Sequence, residues 1–399
     1  MRDPLADACP EVGYQTVEWD MLKPPDERVM PLTHTNRLKL SEMSVRTDSE
    51  LTEYSLIDRN GNTYTHDDLN TALPETDAAT VDELFSTIKA STGKSRRVAL
   101  AHLADVVATA PSEYTSVVES IVELLTGTAP AVQGEALGIL TRIGETDPEA
   151  TRPALKRAIE FLDESVHSLL RNEALQFLVV FADHDPTAVT TAVPRLAALL
   201  QNEAIDTEAV ARILAVISRA DADALVDVVP KLELFLETEP GRAHTWVLAA
   251  VGHLSKAHAN IATEVIPIAG ELLDTDATPL RANAAGVLAD LADEYPGEVQ
   301  PWIPDVIELM DDSDAQVRHN ATSILARVAN DYPQTVSPAT DQLLAVLDDE
   351  LADTRFNACW ALKYINATGA AEKLREIAAT DPDDDVRSVA QLAIDTIEK

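Results

Sequence analysis

From about residue 81 the apolar residues recur at steps of three and four, and strand-like alternation is absent. Val317, Ala321, Ile324, Leu325 and Val328 fall on one face of a helix running to Asn330. A shorter apolar helix, Ile303 to Met310, precedes it, and Asp311-Asp312-Ser313-Asp314 makes the turn between them. The first eighty residues read differently. Tyr14 to Met21 and Arg37 to Leu40 alternate apolar and polar positions, and Tyr54 to Tyr64 reads as two short strands around Asn60-Gly61. That dipeptide supplies the positive φ of a tight hairpin. Thr65 to Leu69 looks like a capped helix start, with Asp67 and Asp68 favouring its N-terminus. Residues 74–80 read as a linker. The pattern predicts a small β-rich N-terminal module over residues 1–75, capping a helical array over residues 76–399.

The array has a period. Pro111, Pro148, Pro186, Pro296 and Pro333 are separated by 37, 38, 110 and 37 residues, and Pro194, Pro230, Pro267 and Pro304 by 36, 37 and 37. Proline in the first turn of a helix sacrifices no hydrogen bond, whereas further in it breaks the helix. The second helix of each unit carries its own signature. Arg281-Ala-Asn283-Ala284, Arg318-His-Asn320-Ala321 and Arg355-Phe-Asn357-Ala358 stand 37 residues apart, and Arg387-Ser-Val-Ala390 follows after 32. Arg96 and Arg171 occupy the arginine column earlier, while Gln133, Thr207 and His244 replace it. Proline, acidic turn, Val-Arg-x-x-Ala and then Leu together resemble HEAT repeats, over about residues 81–399 in eight or nine units of about 37 residues. The resemblance implies a mostly α fold, a right-handed α-α superhelix of stacked helix pairs. Its second helices would line a concave surface, and its activity would be that of a scaffold for proteins or peptides. The pattern is weakest over 187–260, where arginine is missing from its column.

Charge adds a habitat. There are 68 Asp and Glu against 31 Lys and Arg, a formal net charge of −37. The acids are spread through the chain: residues 1–80 carry 16 acids and 7 bases, residues 81–399 carry 52 and 24. A uniform excess points to a salt-rich cytoplasm such as that of a halophilic archaeon. At molar ionic strength the Debye length is roughly 3 Å, and self-repulsion is screened. The start of the chain lacks the apolar run of a signal peptide, and no window has 18 uninterrupted apolar residues. The expected location is therefore cytoplasmic, without a membrane.

Candidate chemistry is sparse. Asp58, Asn60 and Asn62 have the alternation of a calcium loop, but Gly61 stands at its fourth position and Leu69 at its twelfth, so a hairpin turn is favoured. The nine histidines show no metal-ligand spacing, and His253 and His258 fall on different sides of a helix. Cys359, among Ala358, Trp360 and Leu362, reads as a packing residue. Lys94-Ser-Arg96-Arg97 is the compact basic cluster, too small beside 68 carboxylates for a nucleic-acid face. No catalytic residue, metal site or cofactor is expected.

Two columns remain. Arg281, Arg318, Arg355 and Arg387 follow acidic turns containing Asp276, Asp312 and Asp381, and are expected to ladder adjacent units. Asn283, Asn320 and Asn357 either bond between repeats or face the groove, where side-chain amides suit an extended peptide backbone. Trp246 shares their column one unit earlier and Trp360 lies one turn beyond Asn357, both candidate aromatic anchors. The expectation is a non-enzymatic scaffold or adaptor that binds a protein or extended peptide. The alternatives are a ligand-processing protein resembling HEAT-like bilin lyases, and a structural homo-oligomer.

Overall fold

A computed structural model describes residues 56–57, 63–64 and 80–399, save 203. Strands Leu56–Ile57 (β1) and Thr63–Tyr64 (β2) pair antiparallel, Leu56 opposite Tyr64 and Ile57 opposite Thr63. The β-rich N-terminal module is thereby corrected. Two pairs of residues are the whole sheet among the described residues, and every other described element is helical. So small a ladder has no sheet face to bury and no independent stability. The Asp58, Asn60 and Asn62 turn, the 75/76 boundary, the helix start at Thr65 and the linker up to 79 lie outside the described residues.

Residues 80–399 form nine helix pairs among the described residues, and the division of contacts groups them into two units. The first unit, 80–192 with 204–206, holds three pairs. They are α1 (Thr80–Ala90) with α2 (Gly93–Thr109), α3 (Val118–Glu123) with α4 (Pro130–Gly144), and α5 (Leu155–Glu160) with α6 (Ser168–His184). The second unit holds six pairs. These are α7 (Val193–Leu199) with α8 (Thr207–Ala220), α9 (Val229–Leu236) with α10 (Arg242–Ala257), and α11 (Ile266–Glu271) with α12 (Thr278–Leu291). They continue with α13 (Ile303–Glu308) and α14 (Ala315–Asp331), α15 (Thr340–Ala345) and α16 (Ala352–Tyr364), and α17 (Ala371–Thr380) and α18 (Asp384–Ile397).

The prolines explain why the odd-numbered helices are short. Three of them, α5, α13 and α15, begin as one helical turn, pass through a 3-10 turn and restart, as in Pro296–Val299, Gln300–Trp302 and α13. Pro296, Pro301 and Pro304 stand at the opening positions of those three segments. There the missing N–H costs nothing and the fixed φ helps.

In the second unit the even-numbered helices pack side by side in chain order, α8 through α18, with each odd-numbered helix against its own partner. The core lies between these two layers. In α14 it is built by Val317, Ala321, Ile324, Leu325 and Val328, all fully buried. Alanine recurs at the contact column (Ala284, Ala321, Ala358 and Ala390, all fully buried) and lets adjacent helices approach closely.

Candidate functional site

The arginine column is the clearest device. Arg281 donates through Nη1 to the Thr275 carbonyl at 2.5 Å and through Nε to Asp312 Oδ2 at 2.7 Å. Arg318 repeats this with the Asp312 carbonyl at 2.8 Å and Asp349 Oδ2 at 2.6 Å. Arg355 does so with the Asp349 carbonyl at 2.9 Å and makes a two-pronged contact to Asp381, both bonds 2.8 Å. One nitrogen thus closes the turn of its own repeat while the others grip the turn acid of the next. The acids are shaped for this, since Asp312, Asp349 and Asp381 each use Oδ1 to accept a backbone N–H two residues on. Burial alone would raise the Asp381 carboxyl, but Arg355, the Asp383 N–H and Arg387 outweigh it and hold it below the usual value. Arg387 closes its own turn on the Asp381 carbonyl and pairs with Asp384.

Asp349, not singled out from the sequence, is a ladder acid, whereas Asp276 is exposed. The signal for Asp349 was present, for it stands 37 residues after Asp312. The same step back from Asp312 gives Thr275, and the column residue that would face it is His244 rather than arginine. Cation and acid are therefore missing together. His244 is buried and still serves its own turn, accepting from the Gly241 N–H at 3.1 Å. Arg96 and Gln133 likewise donate back to the carbonyls of Ile88 and Leu125.

The asparagine column lies inside the second-helix layer. Asn283, Asn320 and Asn357 are fully buried. Asn283 Nδ2 donates to the Thr245 carbonyl at 2.8 Å, and Asn320 Nδ2 to the Ala282 carbonyl at 2.9 Å, each on the preceding even-numbered helix. Trp246, in the same column of α10, is half-buried.

One side of α16 carries Phe356, Trp360 and Tyr364, spaced four residues apart, with Phe356 and Trp360 buried. Trp360 stacks on Tyr364 with centroids 5.5 Å apart and meets Phe356 edge-on at 6.3 Å. Lys363 Nζ lies 4.4 Å from both the Trp360 and Tyr364 rings. Steps of 37 residues back from Phe356 and Tyr364 lead to His319 and Arg327 on α14, and a further step from Arg327 leads to Asp290 on α12. This face holds polar atoms without a hydrogen-bond partner among the described residues: Trp360 Nε1, His319 Nδ1 and Asp290 Oδ2. Trp360 and His319 are each 4% exposed. Burial pushes the Asp290 carboxyl up to about 8 despite Arg327, so it is largely protonated at neutral pH. Burial also lowers His319, leaving it a neutral imidazole.

Among the described residues no group of three or more His, Cys, Asp or Glu is placed to hold a metal ion. No helix there is long and apolar enough to cross a membrane. Cys359 is fully buried, and burial pushes its thiol up to about 12, far from a thiolate.

No curated protein matches the chain. Two solved structures cover 51% of it and 99% of their own length. One is the designed armadillo repeat protein YIII(Dq)4CqI, at 20% identity and a TM-score of 0.47. The other is described as computationally designed armadillo repeat proteins for modular peptide recognition, at 19% identity and a TM-score of 0.44. Residues 303–395, which hold the arginine ladder from Arg318 onward and the aromatic face of α16, match the family described as HEAT repeats.

Proposed function

We propose that the chain is a non-catalytic interaction scaffold and that the side of α12, α14 and α16 carrying Asp290, His319 and Trp360 binds an extended segment of a protein. The observation that carries this reading is the Phe356, Trp360 and Tyr364 stripe beside buried polar atoms that have no described partner. A buried donor without an acceptor costs about 1–3 kcal/mol, and a peptide carbonyl over the Trp360 N–H would recover it. Rigid aromatic rings add anchoring area at little ordering cost. The buried asparagines hold adjacent helices in register beneath this face, and half-buried Trp246 extends the aromatic character to α10. The acidic surface suits a salt-rich cytoplasm, where long-range steering is screened and such anchors dominate recognition.

The test is capture from native lysate in multimolar KCl by the wild-type chain and by Tyr364→Ala and Lys363→Glu variants. A stoichiometric protein retained by the wild type and lost from both variants is the expected result. Equal retention by all three refutes the reading.

A further inference from the structure

One member of the arginine column serves neither end of the ladder. Arg281, Arg318 and Arg355 each give Nε to a turn carboxylate, and Arg96 gives its Nε to the Ile88 carbonyl. Arg171, in the first turn of α6, is 8% exposed, yet its Nε has no hydrogen-bond partner among the described residues. Its guanidinium forms no ion pair with a described carboxylate either.

The sequence accounts for this. Each ladder acid stands six residues before the column residue of its own repeat, as Asp312 before Arg318, Asp349 before Arg355 and Asp381 before Arg387. In the repeat after Arg171 the column residue is Thr207, and six residues before it stands Gln201, which carries no charge. The acid near by in the chain, Asp206, is engaged otherwise. Its Oδ2 accepts from Gln176 Nε2 at 3.4 Å, and its N–H donates to Asn172 Oδ1 at 3.3 Å. Asn172 Nδ2 also donates to the Ala204 carbonyl at 3.4 Å. Residues 204–206 are thus held to α6 by side-chain amides, where later repeats use an ion pair.

A buried guanidinium is costly unless a counter-charge accompanies it. The ligand that answers this cost is an anion small enough for a site more than nine-tenths buried. A carboxylate on another protein has no approach to such a site. Phosphate and sulfate bring more charge and more oxygens than one guanidinium edge can bond. A halide needs few donors, and the positive end of the 17-residue α6 dipole favours it. The net charge of −37 repels free anions in dilute buffer, but at molar salt the Debye length is roughly 3 Å and that repulsion is screened.

We propose that Arg171 forms a halide site, in which one chloride ion bonds the Nε edge that carries the ladder carboxylate in Arg281, Arg318 and Arg355. The ion binds the folded chain and not the unfolded one, so stability rises with chloride beyond the general effect of salt.

The experiment compares the full chain with its Arg171→Met variant, which keeps the stem and loses the charge. Urea unfolding is followed at constant potassium while gluconate is exchanged for chloride. The wild-type unfolding constant is expected to fall saturably relative to the variant's, by about fivefold at about 2 M chloride for half-saturation near 0.5 M. The same chloride dependence in both proteins overturns the proposal, as does an equal saturable effect of sulfate on the wild type. Crystals of the wild type grown in KBr give a reading that does not depend on the variant. A bromide anomalous peak within about 3.5 Å of Arg171 Nε is expected. No peak there, or a carboxylate of the chain seated on that nitrogen, overturns the proposal. A peak only on other atoms marks an adventitious ion only and overturns it as well.

Discussion

Arg355 and Asp381 provide the sharpest test of the ladder. Their side chains are 10% and 2% exposed, and two parallel bonds of 2.8 Å join them. Replacing Arg355 with Met removes the charge, keeps much of the stem, and leaves Asp381 buried with the Asp383 N–H as its remaining described partner on that carboxylate. Breaking one side of a buried pair costs about 3–5 kcal/mol, because the survivor stays charged in a poorly solvating site. For a chain of this size that corresponds to a fall in Tm of roughly 4–6 °C. Converting both partners, Arg355→Met with Asp381→Leu, leaves no unpaired charge, only the Asp383 N–H and the Asp349 carbonyl without those partners, and is expected to cost less than either single change. The assay is a double-mutant cycle by urea unfolding in 3 M KCl, with hydrogen exchange over α17 and α18, where loss of the nearest-neighbour interface should appear first. A single substitution costing under about 1 kcal/mol, or additive singles, would refute the view that the ladder couples repeats.

Other consequences follow from particular residues. Because the Asp381 carboxyl is held below its unfolded value, it stabilises the fold above about pH 4 and that contribution is lost as pH falls further, which acid titration of wild type and Asp381→Asn would show. Asp290 has the opposite sign: raised to about 8, it binds more protons folded than unfolded, so its contribution declines as pH rises from about 4 toward 8. Asp290→Asn should therefore flatten the pH dependence of Tm across that interval. A Cβ at Gly270 would lie 2.1 Å from the Trp302 ring, so Gly270→Ala is expected to displace that tryptophan and cost about 1–3 kcal/mol, read as a shift in the urea midpoint. Lowering KCl from 3 M to 0.1 M lengthens the Debye length to about 10 Å and should lower Tm, given the net charge of −37.

Most of the helical array is legible in the sequence because two independent periodicities agree. The steps of three and four mark the helices, and the recurrence of 37 residues marks the pairs. The ladder is legible for the same reason, though its acid at Asp349 emerges only when the interval is applied to the turns as well as to the helices. The asparagine column shows what periodicity leaves open. It places three amides at one level, but whether they face a groove or a neighbouring helix depends on the approach distance, which the alanines beside them set. The aromatic face of α16 was half-visible. Trp360 stands out in the sequence, whereas Phe356 and Tyr364 join it through ring contacts that only the folded helix shows. The β-rich reading of the first residues came from alternation alone, and a short alternating run without a second layer to cover it specifies little.

The ladder also bears on how such an array changes length. Every stretch from one turn acid to the next, such as residues 312–348, contains one socket, Asp312, and one plug, Arg318. Duplicating that stretch in frame would leave all plugs seated, with Arg318 entering the copied acid and the copied arginine entering Asp349. Duplicating a stretch that ends at the Thr275 turn would instead put an arginine-free repeat against a socket-free one, neutral in charge but without cohesion. The separation between plug and socket, 31 residues for Arg318 and 26 for Arg355, shows that the joint accepts a first helix of different length. Growth by unequal exchange is therefore least disruptive between Arg281 and Asp381, where each repeat carries its own means of attachment.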